Sequence, residues 1–527
     1  MSRAPVVDIH RLWGPLPYGH EPGAFVRTPD TLVRTPDTAL PDPAPLLHEL
    51  DRLAIDTACV SHTHATHGDP RDATAVPPLP AGRLVPVPVL IPGPLGTGLP
   101  PPGTRLVRLT PAAHHWTLTG AHARALTGEL TRRETAVLLP YDSATPDGLD
   151  RFARAAPRLT TVLTGTGYRS LRDLADLLDA HPHLRVETST LAGHLQVEWL
   201  VRRYGAGRVL FGTGAPETDA AGPRYQLATL DLPEADRDRI GGGNALRLLG
   251  VQETLSARAP LTETAAVPPP LTLPRTERIV DAHGHLGRWG AFAITDGSAD
   301  GLVRAMDRHG IATACVSHLL AVGPDARTGN RLLLDALAAH PGRLLGYAVH
   351  QPHDPEGPAR LAELLDAPGV IGVKLHPETH RLPLDYPAYD PAFALAAERG
   401  RIVLAHSEYG SLHSDPARFA AVAARWPGVP ILMGHAGLWP RGLVAAAGIA
   451  ADHPHLVLEI CGSRTTAHQL TRLVRTVGAD RVVFGSDALF LDPRTTLGRV
   501  LFAELTGDER RAVLHGTMDR LLSGVGP

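Results

Sequence analysis

The segment Asp307-Arg-His-Gly-Ile-Ala-Thr-Ala-Cys-Val-Ser-His318 has an earlier partner, Asp51-Arg-Leu-Ala-Ile-Asp-Thr-Ala-Cys-Val-Ser-His62, and nine of the twelve positions are identical. Two more pairs follow in the same order along the chain. They are His181-Pro-His-Leu-Arg-Val-Glu187 with His453-Pro-His-Leu-Val-Leu-Glu459, and Arg208-Val-Leu-Phe-Gly-Thr-Gly-Ala215 with Arg481-Val-Val-Phe-Gly-Ser-Asp-Ala488. Repeats that return in one order indicate a tandem duplication, which sets the architecture of the whole chain.

The length of the chain fits such a duplication. Its 527 residues exceed what one hydrophobic core usually holds and suit two domains of about 250 residues, the typical size of a (β/α)8 barrel. The segment around Pro268-Pro269-Pro270 has few bulky residues and resembles a linker. We therefore predict a first domain over residues 1–253, a linker over residues 254–277 and a second domain over residues 278–527.

The second copy alternates short apolar strands with helical patterns. The predicted strands are Ile279–His283, Ala314–His318, Leu344–Val349, Val370–Lys374, Ile402–His406, Ile431–His435, Leu456–Glu459 and Val482–Gly485. The predicted helices include Asn330–His340, Pro391–Arg399, Pro416–Arg425 and Ala467–Val477. Eight near-continuous apolar strands joined by helices predict a closed parallel barrel of the TIM type.

The first copy is less complete. Only a segment rich in Pro, Gly and Asp, around Gly68–Arg83, separates its second and third strands. Between its third and fourth strands lies Pro92–Gly103, whose prolines and glycines cannot form a helix. The predicted fold class is therefore α/β, with two tandem TIM-type barrels of which the first is degenerate and has lost outer helices.

Metal-ligand side chains in the second copy stand where predicted strands end. The positions are Asp281, His283 and His285 on strand 1, Lys374 and His376 on strand 4, His406 on strand 5, His435 on strand 6 and Asp487 on strand 8. Residues two apart on a strand share a face, so His283 and His285 can point together into the barrel mouth, where such folds place their chemistry. Imidazoles with a carboxylate predict a nitrogen and oxygen site for Zn2+ or a similar divalent ion.

These motifs resemble those of the amidohydrolase superfamily, and more narrowly the amidohydrolase-related group that also contains aromatic-acid decarboxylases. The resemblance covers about residues 279–523 and rests on Asp-x-His-x-His, on Gly372-Val-Lys-Leu-His-Pro377, on the strand 5 and 6 histidines and on Gly485-Ser-Asp487. It implies that the catalytic metal is bound by His283, His285, His406 and Asp487. It also implies that His435 bonds the metal-bound water or the substrate oxygen and that Asp487 is the general base.

Elementary chemistry agrees with those roles. A bound Zn2+ lowers the pKa of its water to about 7, which provides hydroxide at neutral pH. Asp487 can accept that proton and pass it to the leaving group, while His435 polarises the carbonyl under attack. Zn2+ is the predicted metal, although Mn2+, Fe2+ or Co2+ suit the same ligands.

Lys374 is the single lysine of the chain, in a sequence that otherwise uses arginine for positive charge. An arginine cannot replace a lysine wherever a neutral amine is needed. In binuclear members of the superfamily a lysine at this position is carbamylated and bridges two metals. The alternative is a protonated Lys374 that binds a substrate carboxylate or phosphate. We prefer the alternative, because the Gly-x-Lys-x-His-Pro motif of the resembled group usually accompanies one metal.

The first copy keeps scaffold motifs but lacks the ligands. His10 matches His283, but the other positions differ: Leu12 for His285, Arg108 for Lys374, Thr110 for His376, Pro140 for His406, Thr166 for His435 and Gly214 for Asp487. One ligand cannot hold a catalytic ion, so this copy is interpreted as a pseudoenzyme domain. The stretch His62-Thr-His-Ala-Thr-His-Gly68 is interpreted as a solvated loop rather than a second metal site.

Three functions remain open at this point. The first is hydrolysis of an amide, C–N or ester/lactone bond of a small molecule by metal-activated water. The second is non-oxidative decarboxylation of a small carboxylic acid, and the third is a non-catalytic scaffold or regulator. Candidate substrate contacts are His376, Arg288 just after strand 1, and Glu408 after strand 5.

The composition limits the partners. A net charge of −3 gives no basis for binding nucleic acid or a membrane surface, and no apolar run reaches a membrane-spanning length. Three cysteines, Cys59, Cys315 and Cys461, are interpreted as buried reduced thiols of a cytoplasmic protein. The expected assembly is an intrachain pseudo-dimer of the two barrels, with a homo-oligomer as a further option.

Overall fold

A computed structural model describes residues 4–14, 43–71, 82–251, 271–273 and 277–525. The chain forms two compact units, of which the first ends at Thr272 and the second begins at Leu273. Most of the predicted linker over residues 254–277 lies outside the described residues, so the predicted domain boundaries stay predictions.

The C-terminal unit is built on eight parallel strands, each paired with the next along the chain. They are β9 (Ile279–Leu286), β10 (Ile311–His318), β11 (Leu344–Val349), β12 (Val370–Leu375), β13 (Ile402–His406), β14 (Ile431–Gly434), β15 (Leu456–Glu459) and β16 (Val482–Val483). The last strand returns to the first, because Ala282 N donates to Phe484 O at 2.9 Å and Gly284 bridges to Ala488. The TIM-type barrel expected for this half is confirmed.

Two strands, β14 and β16, end earlier than predicted, whereas β9 and β12 continue to Leu286 and Leu375. Strand β14 ends one residue early because His435 and Ala436 have φ values of 63° and 43°, which turn the chain out of the extended region. Strand β16 covers only Val482–Val483, since the following residues bond instead to β9. Both departures lie at the barrel mouth, where the chain has to turn.

The outer helices of this unit fill every interval between strands. They are α10 (Ala299–His309), α11 (Leu319–Val322), α12 (Ala326–Ala339), α13 (Gly357–Leu365), α14 (Pro377–His380), α15 (Asp390–Glu398), α16 (Pro416–Arg425), α17 (Pro440–Asp452), α18 (Ala467–Val477), α19 (Pro493–Phe502), α20 (Gly507–Arg511) and α21 (Thr517–Ser523). The bounds predicted for α16 and α18 are confirmed. Both helices have strong start signals: α16 begins at a proline capped by Asp415, and α18 has a Thr466/Gln469 capping box.

The described residues of the N-terminal unit also form eight parallel strands. They are β1 (Val7–Trp13), β2 (Thr57–His62), β3 (Leu84–Pro86), β4 (Leu106–Arg108), β5 (Ala136–Pro140), β6 (Thr161–Thr164), β7 (Leu184–Glu187) and β8 (Val209–Leu210). They form a three-stranded and a five-stranded sheet, which a bridge between Val89 and Arg108 connects. A bond from Ile9 N to Phe211 O at 3.0 Å joins β1 to the residue after β8. The barrel skeleton is therefore retained.

The described part of this unit contains nine α-helices. They are α1 (Ala44–Arg52), α2 (Thr63–His67), α3 (Ala121–Arg132), α4 (Pro146–Ala155), α5 (Leu171–Ala180), α6 (Gln196–Tyr204), α7 (Ala221–Thr229), α8 (Glu234–Asp238) and α9 (Asn244–Leu249). No helix lies between β3 and β4, all of whose connecting residues are described, so that predicted loss is confirmed. The solvated loop expected over residues 62–68 is wrong, because α2 is a helical turn and the side chain of His62, which caps it, is buried.

Each barrel has its own apolar core. In the C-terminal unit it includes Val280, Cys315, Leu404 and Leu432, and in the N-terminal unit Val7, Cys59, Leu138 and Val162. All three cysteines are buried and free, as expected. Among the described residues, no helix combines the length and the apolar character that crossing a membrane requires.

Candidate metal centre

His283 and His285 lie on the same face of β9, and a buried partner holds one ring nitrogen of each. His283 Nδ1 is 2.7 Å from Glu459 Oε2, and His285 Nδ1 is 3.0 Å from Ser317 Oγ. Both imidazoles are buried. An anchored Nδ1 fixes the ring orientation and leaves Nε2 as the atom that can bind a metal.

Asp487, in the segment that follows β16 and bonds to β9, completes this group. Its backbone N–H donates to His283 O at 2.8 Å, and its φ of 60° turns the chain so that the carboxylate faces β9. Asp487 Oδ1 lies 3.1 Å from His285 Nε2 and 3.9 Å from His283 Nε2. The ligand atoms of these three residues lie within 4.8 Å of one another. Three of the four predicted metal ligands are thus brought together.

The fourth predicted ligand, His406, is not in that group. Its ring stacks on His376 at a centroid distance of 4.3 Å and an interplanar angle of 10°, and it lies 4.7 Å from the ring of His435. The His435 ring is in turn 5.0 Å from that of His283. The four imidazoles therefore line one continuous wall of the mouth, and metal ligation by His406 stays a prediction.

Burial sets the electrostatics of the centre. It lowers the pKa of the imidazoles of His283, His376 and His406 well below the ordinary value, with nearby positive groups acting in the same direction. Burial alone would raise the pKa of Asp487. The hydrogen bond from His285 and the charges of the surrounding imidazoles nevertheless hold it below its ordinary value. Near neutral pH the centre therefore offers neutral nitrogen donors and one ionised carboxylate, which are the forms that bind metals.

Lys374 is buried at the end of β12, with Nζ 2.7 Å from His283 Nε2. Burial lowers the pKa of its amine to about 8, against the opposing effect of the Asp487, Cys461 and Glu459 charges. The neutral and charged amine are thus both accessible near neutral pH. The structure places the only lysine of the chain against the predicted ligands.

Glu459, at the end of β15, was missed as a site residue by the sequence analysis. Its carboxylate accepts from His283, from the backbone N–H of His435 at 3.1 Å and from that of Cys461 at 2.5 Å. Its signal was already visible, because a glutamate ends both copies of the His-Pro-His-Leu repeat. Glu459 thus anchors the His283 ring that carries a predicted metal ligand.

A second group of potential ligands surrounds this carboxylate: His283, His435, Glu459 and Cys461. The hydrogen bonds that it accepts already use both oxygens of Glu459. Burial also raises the pKa of the Cys461 thiol well above its ordinary value, which opposes the thiolate that a metal needs. These contacts indicate a supporting network rather than an ion site.

The N-terminal unit keeps this network without the ligands. Glu187 accepts from His10 Nδ1 at 3.1 Å, from Gly165 N at 2.9 Å and from Ser189 N at 2.6 Å. Among the described residues, both groups that could hold an ion lie in the C-terminal unit. The His–Glu bond therefore supports the barrel whether or not ligands are present.

One pairing between the copies is corrected. Thr166 was expected to replace His435, but Gly165 holds that position. The backbone N–H of Gly165 donates to Glu187 at the end of β7, and Gly165 has a φ of 64°. In the same way, the backbone N–H of His435 donates to Glu459 at the end of β15, and His435 has a φ of 63°. Asp487, with φ 60°, is likewise matched by Gly214, with φ 62°. Glycine adopts this conformation without the penalty that other residues incur, so the N-terminal unit makes the same two turns with less backbone strain.

The predicted substrate contacts lie around the mouth. His376 stacks on His406, and Arg288 is exposed on the loop after β9. Glu408 follows β13 and accepts a hydrogen bond from Trp439 Nε1 at 3.2 Å. Their contact with substrate stays a prediction.

Solved structures of similar fold cover about half of this chain. They include an uncharacterised TIM-barrel protein from Bordetella bronchiseptica (18% identity, 47% of this chain and 100% of that one, TM-score 0.41) and a 5-carboxyvanillate decarboxylase from Sphingomonas paucimobilis (16%, 47% and 99%, 0.37). A provisionally assigned 2-pyrone-4,6-dicarboxylic acid hydrolase from Pseudomonas putida has 20% identity, covers 47% of this chain with 98% of its own, and has a TM-score of 0.38.

No curated protein sequence matches this chain. The family model described as amidohydrolase, in contrast, matches residues 100–251 and 280–523, which together are more than half of the sequence. The matched ranges contain β4 to β8 of the first barrel and nearly all of the second, including every residue of the candidate centre. The chain belongs to the amidohydrolase family.

Proposed function

We propose that the C-terminal unit hydrolyses an amide, C–N or ester/lactone bond of a small molecule with the help of one divalent metal ion. The observation that carries this proposal is the convergence of His283 Nε2, His285 Nε2 and Asp487 Oδ1 on one point of the barrel mouth. Two neutral imidazoles and a carboxylate fit Zn2+, and also Mn2+, Fe2+ or Co2+.

The hydrogen bonds of these residues, and not only their residue types, fit such an ion. Both histidines use Nδ1 for a buried hydrogen bond, which is the arrangement that orients imidazole ligands in metal sites. When bound, the ion would supply Lewis acidity and lower the pKa of a coordinated water. His406 and His435, on the adjoining wall, are the further imidazoles within reach of the same mouth.

Asp487 is the proposed general base. Its carboxylate is ionised at neutral pH, and the hydrogen bond to His285 fixes its direction. It accepts a proton from the attacking water and returns it to the leaving nitrogen or oxygen. His435, whose Nδ1 is 3.0 Å from Cys461 Sγ, keeps Nε2 for the oxygen of the carbonyl under attack.

Lys374 is proposed to bind an acidic group of the substrate. Its Nζ contacts His283 Nε2, so the amine and a metal ion compete for that nitrogen, and a charged substrate group would draw the amine away. A carbamylated Lys374 that bridges two ions is the alternative. Elemental analysis that finds two metal ions per chain would favour the alternative.

Decarboxylation is a second candidate because the same buried amine could hold the carboxylate that is lost. The two reactions leave different products. Hydrolysis in H2 18O places the heavy oxygen in the product, whereas decarboxylation releases carbon dioxide without that incorporation. A panel of small cyclic amides, lactones and aromatic acids, analysed by mass spectrometry with carbon dioxide detection, decides between them. A chain that binds no metal and turns over no compound would instead support a scaffold.

A further inference from the structure

We propose that the mouth of the N-terminal barrel binds a small-molecule carboxylate through the guanidinium of Arg108. This site is separate from the hydrolytic centre and does not depend on the function proposed for it. The inference rests on the path, burial and incomplete bonding of one side chain.

The Arg108 side chain reaches past the neighbouring strand. It starts at the end of β4, and its Nε donates to Ser61 Oγ at 2.9 Å. Ser61 lies on β2, which is separated from β4 by β3. Because Arg108 is the last residue of β4 and Ser61 the second-last of β2, the guanidinium lies at the carboxyl end of the barrel, where TIM-type folds bind ligands.

The guanidinium is buried but only partly bonded. Arg108 is 3% exposed, and its buried Nη2 has no hydrogen-bond partner among the residues that the structure describes. A buried guanidinium N–H without a hydrogen-bond partner is costly to the fold, whereas a leucine or methionine that fills the same space leaves no such group. Arginine at this position is therefore better explained by a ligand than by stability.

One side chain of the C-terminal mouth has no counterpart in the N-terminal unit. In the C-terminal unit the His435 ring packs against His283 and His406, but Gly165 stands at that position in the N-terminal unit. A side-chain carbon placed on Gly165 would meet no atom of the described residues within 4 Å. The described residues therefore leave space at the position where the imidazole of His435 begins in the other barrel.

The charges around Arg108 select the ligand. A guanidinium presents parallel N–H groups that match the two oxygens of a carboxylate. Glu217, Glu187 and Asp8 lie close enough to raise the pKa of Arg108 against the lowering effect of burial, which brings it to about 10. These neighbouring carboxylates repel a dianion more than a monoanion. A monoanionic carboxylate therefore fits better than a phosphate ester.

Fluorine NMR of the full chain as purified, titrated with 4-fluorobenzoate, tests the proposal. We expect a bound signal that Arg108→Met abolishes or weakens at least ~10-fold in affinity, the size of a charge-assisted contact. Arg105→Met, which removes a partly exposed arginine of the same unit, serves as the matched variant and should leave that signal in place. Arg108→Lys keeps the charge but loses the paired N–H groups, so an intermediate loss is expected.

Two results would overturn the inference. The first is the absence of any bound signal that responds to Arg108→Met, and the second is saturation that inorganic phosphate competes for more strongly than benzoate. If Arg108→Met did not fold, Arg108→Lys would give the binding measurement, and an unchanged affinity in that variant would overturn the inference.

Discussion

Asp281 joins β9 to the residues after β16 by accepting hydrogen bonds from the backbone N–H of His283 at 3.1 Å and from that of Ser486 at 3.0 Å. In the N-terminal unit Asp8 makes the equivalent bonds to His10 at 3.1 Å and to Thr213 at 3.0 Å. Both carboxylates are fully buried. The closure of each barrel thus uses the same buried aspartate, whether or not a metal centre stands above it.

The glutamates at the ends of β15 and β7 make equivalent hydrogen bonds in the two units: Glu459 is bonded to His283 and Glu187 to His10. The two units differ nearer to the barrel mouth, where His285, His435 and Asp487 are matched by Leu12, Gly165 and Gly214. Bonds that hold strand ends together are needed by the fold, whereas side chains that face the mouth are needed only by the chemistry. The comparison therefore distinguishes the polar residues that both folds share from those on which only the proposed chemistry depends.

The largest effect is expected when the C-terminal unit is given a mouth residue of the N-terminal one. His285→Leu removes one of two anchored imidazole ligands, so bound metal should fall to background and turnover should drop on the order of 1000-fold. Elemental analysis and the hydrolysis assay measure both. Leu12→His is the matched control and should bind no metal, since Gly214 and Gly165 supply no donors. Metal retained by His285→Leu would contradict the proposed centre.

Substitution of Glu459 or Glu187 is expected to have a smaller effect, which includes metal affinity in only one of the two variants. Glu459→Gln and Glu187→Gln each disturb a buried hydrogen-bond network, so each should cost about 1–3 kcal/mol of unfolding free energy. Only Glu459→Gln should also weaken metal affinity, by about 10- to 100-fold, because only His283 belongs to a ligand group. Calorimetric metal titration and denaturant unfolding separate the two readouts. Equal metal affinities in both variants would refute the anchoring role of Glu459.

Asp8 allows a test of how stability depends on pH, because the candidate metal ligands lie in the other unit. Burial raises the pKa of Asp8 above its ordinary 3.8. A raised native pKa contributes stability that is fully present below the ordinary value and is lost as the pH rises through the native one. Asp8→Asn resembles the protonated carboxyl, so relative to the parent it should gain stability with rising pH. Unfolding followed from pH 4 to pH 8, with limited proteolysis to assign the unit, measures this; a difference that stays constant over that whole range would contradict it.

The smallest effect is expected at Cys461, whose counterpart is Ser189. Cys461→Ser keeps a donor to Glu459 and should change stability by less than about 1 kcal/mol. Metal content should not change, because the thiol belongs to the supporting network. Loss of the ion in this variant would identify the group of His283, His435, Glu459 and Cys461 as the true centre.

The strand positions could be read from the sequence because buried parallel strands are short, apolar and bounded by turn residues. The bounds of α16 and α18 were equally accessible, since capping residues act locally. The end of β14 was not, because the positive φ of His435 depends on its bond to Glu459 from another strand. The same long-range contact explains why Thr166 was mistaken for the counterpart of His435.

The sequence by itself determined the α/β barrel, the repeat and the residue types of the centre, because strand periodicity and ligand chemistry are properties of short segments. Only the tertiary structure decided which of those ligands converge. It grouped His283 and His285 with Asp487, stacked His406 on His376 and brought Glu459 under the centre. It also brought Arg108 of β4 to Ser61 of β2. Such pairings join strands far apart in sequence, and their distances follow from barrel closure rather than from any local pattern.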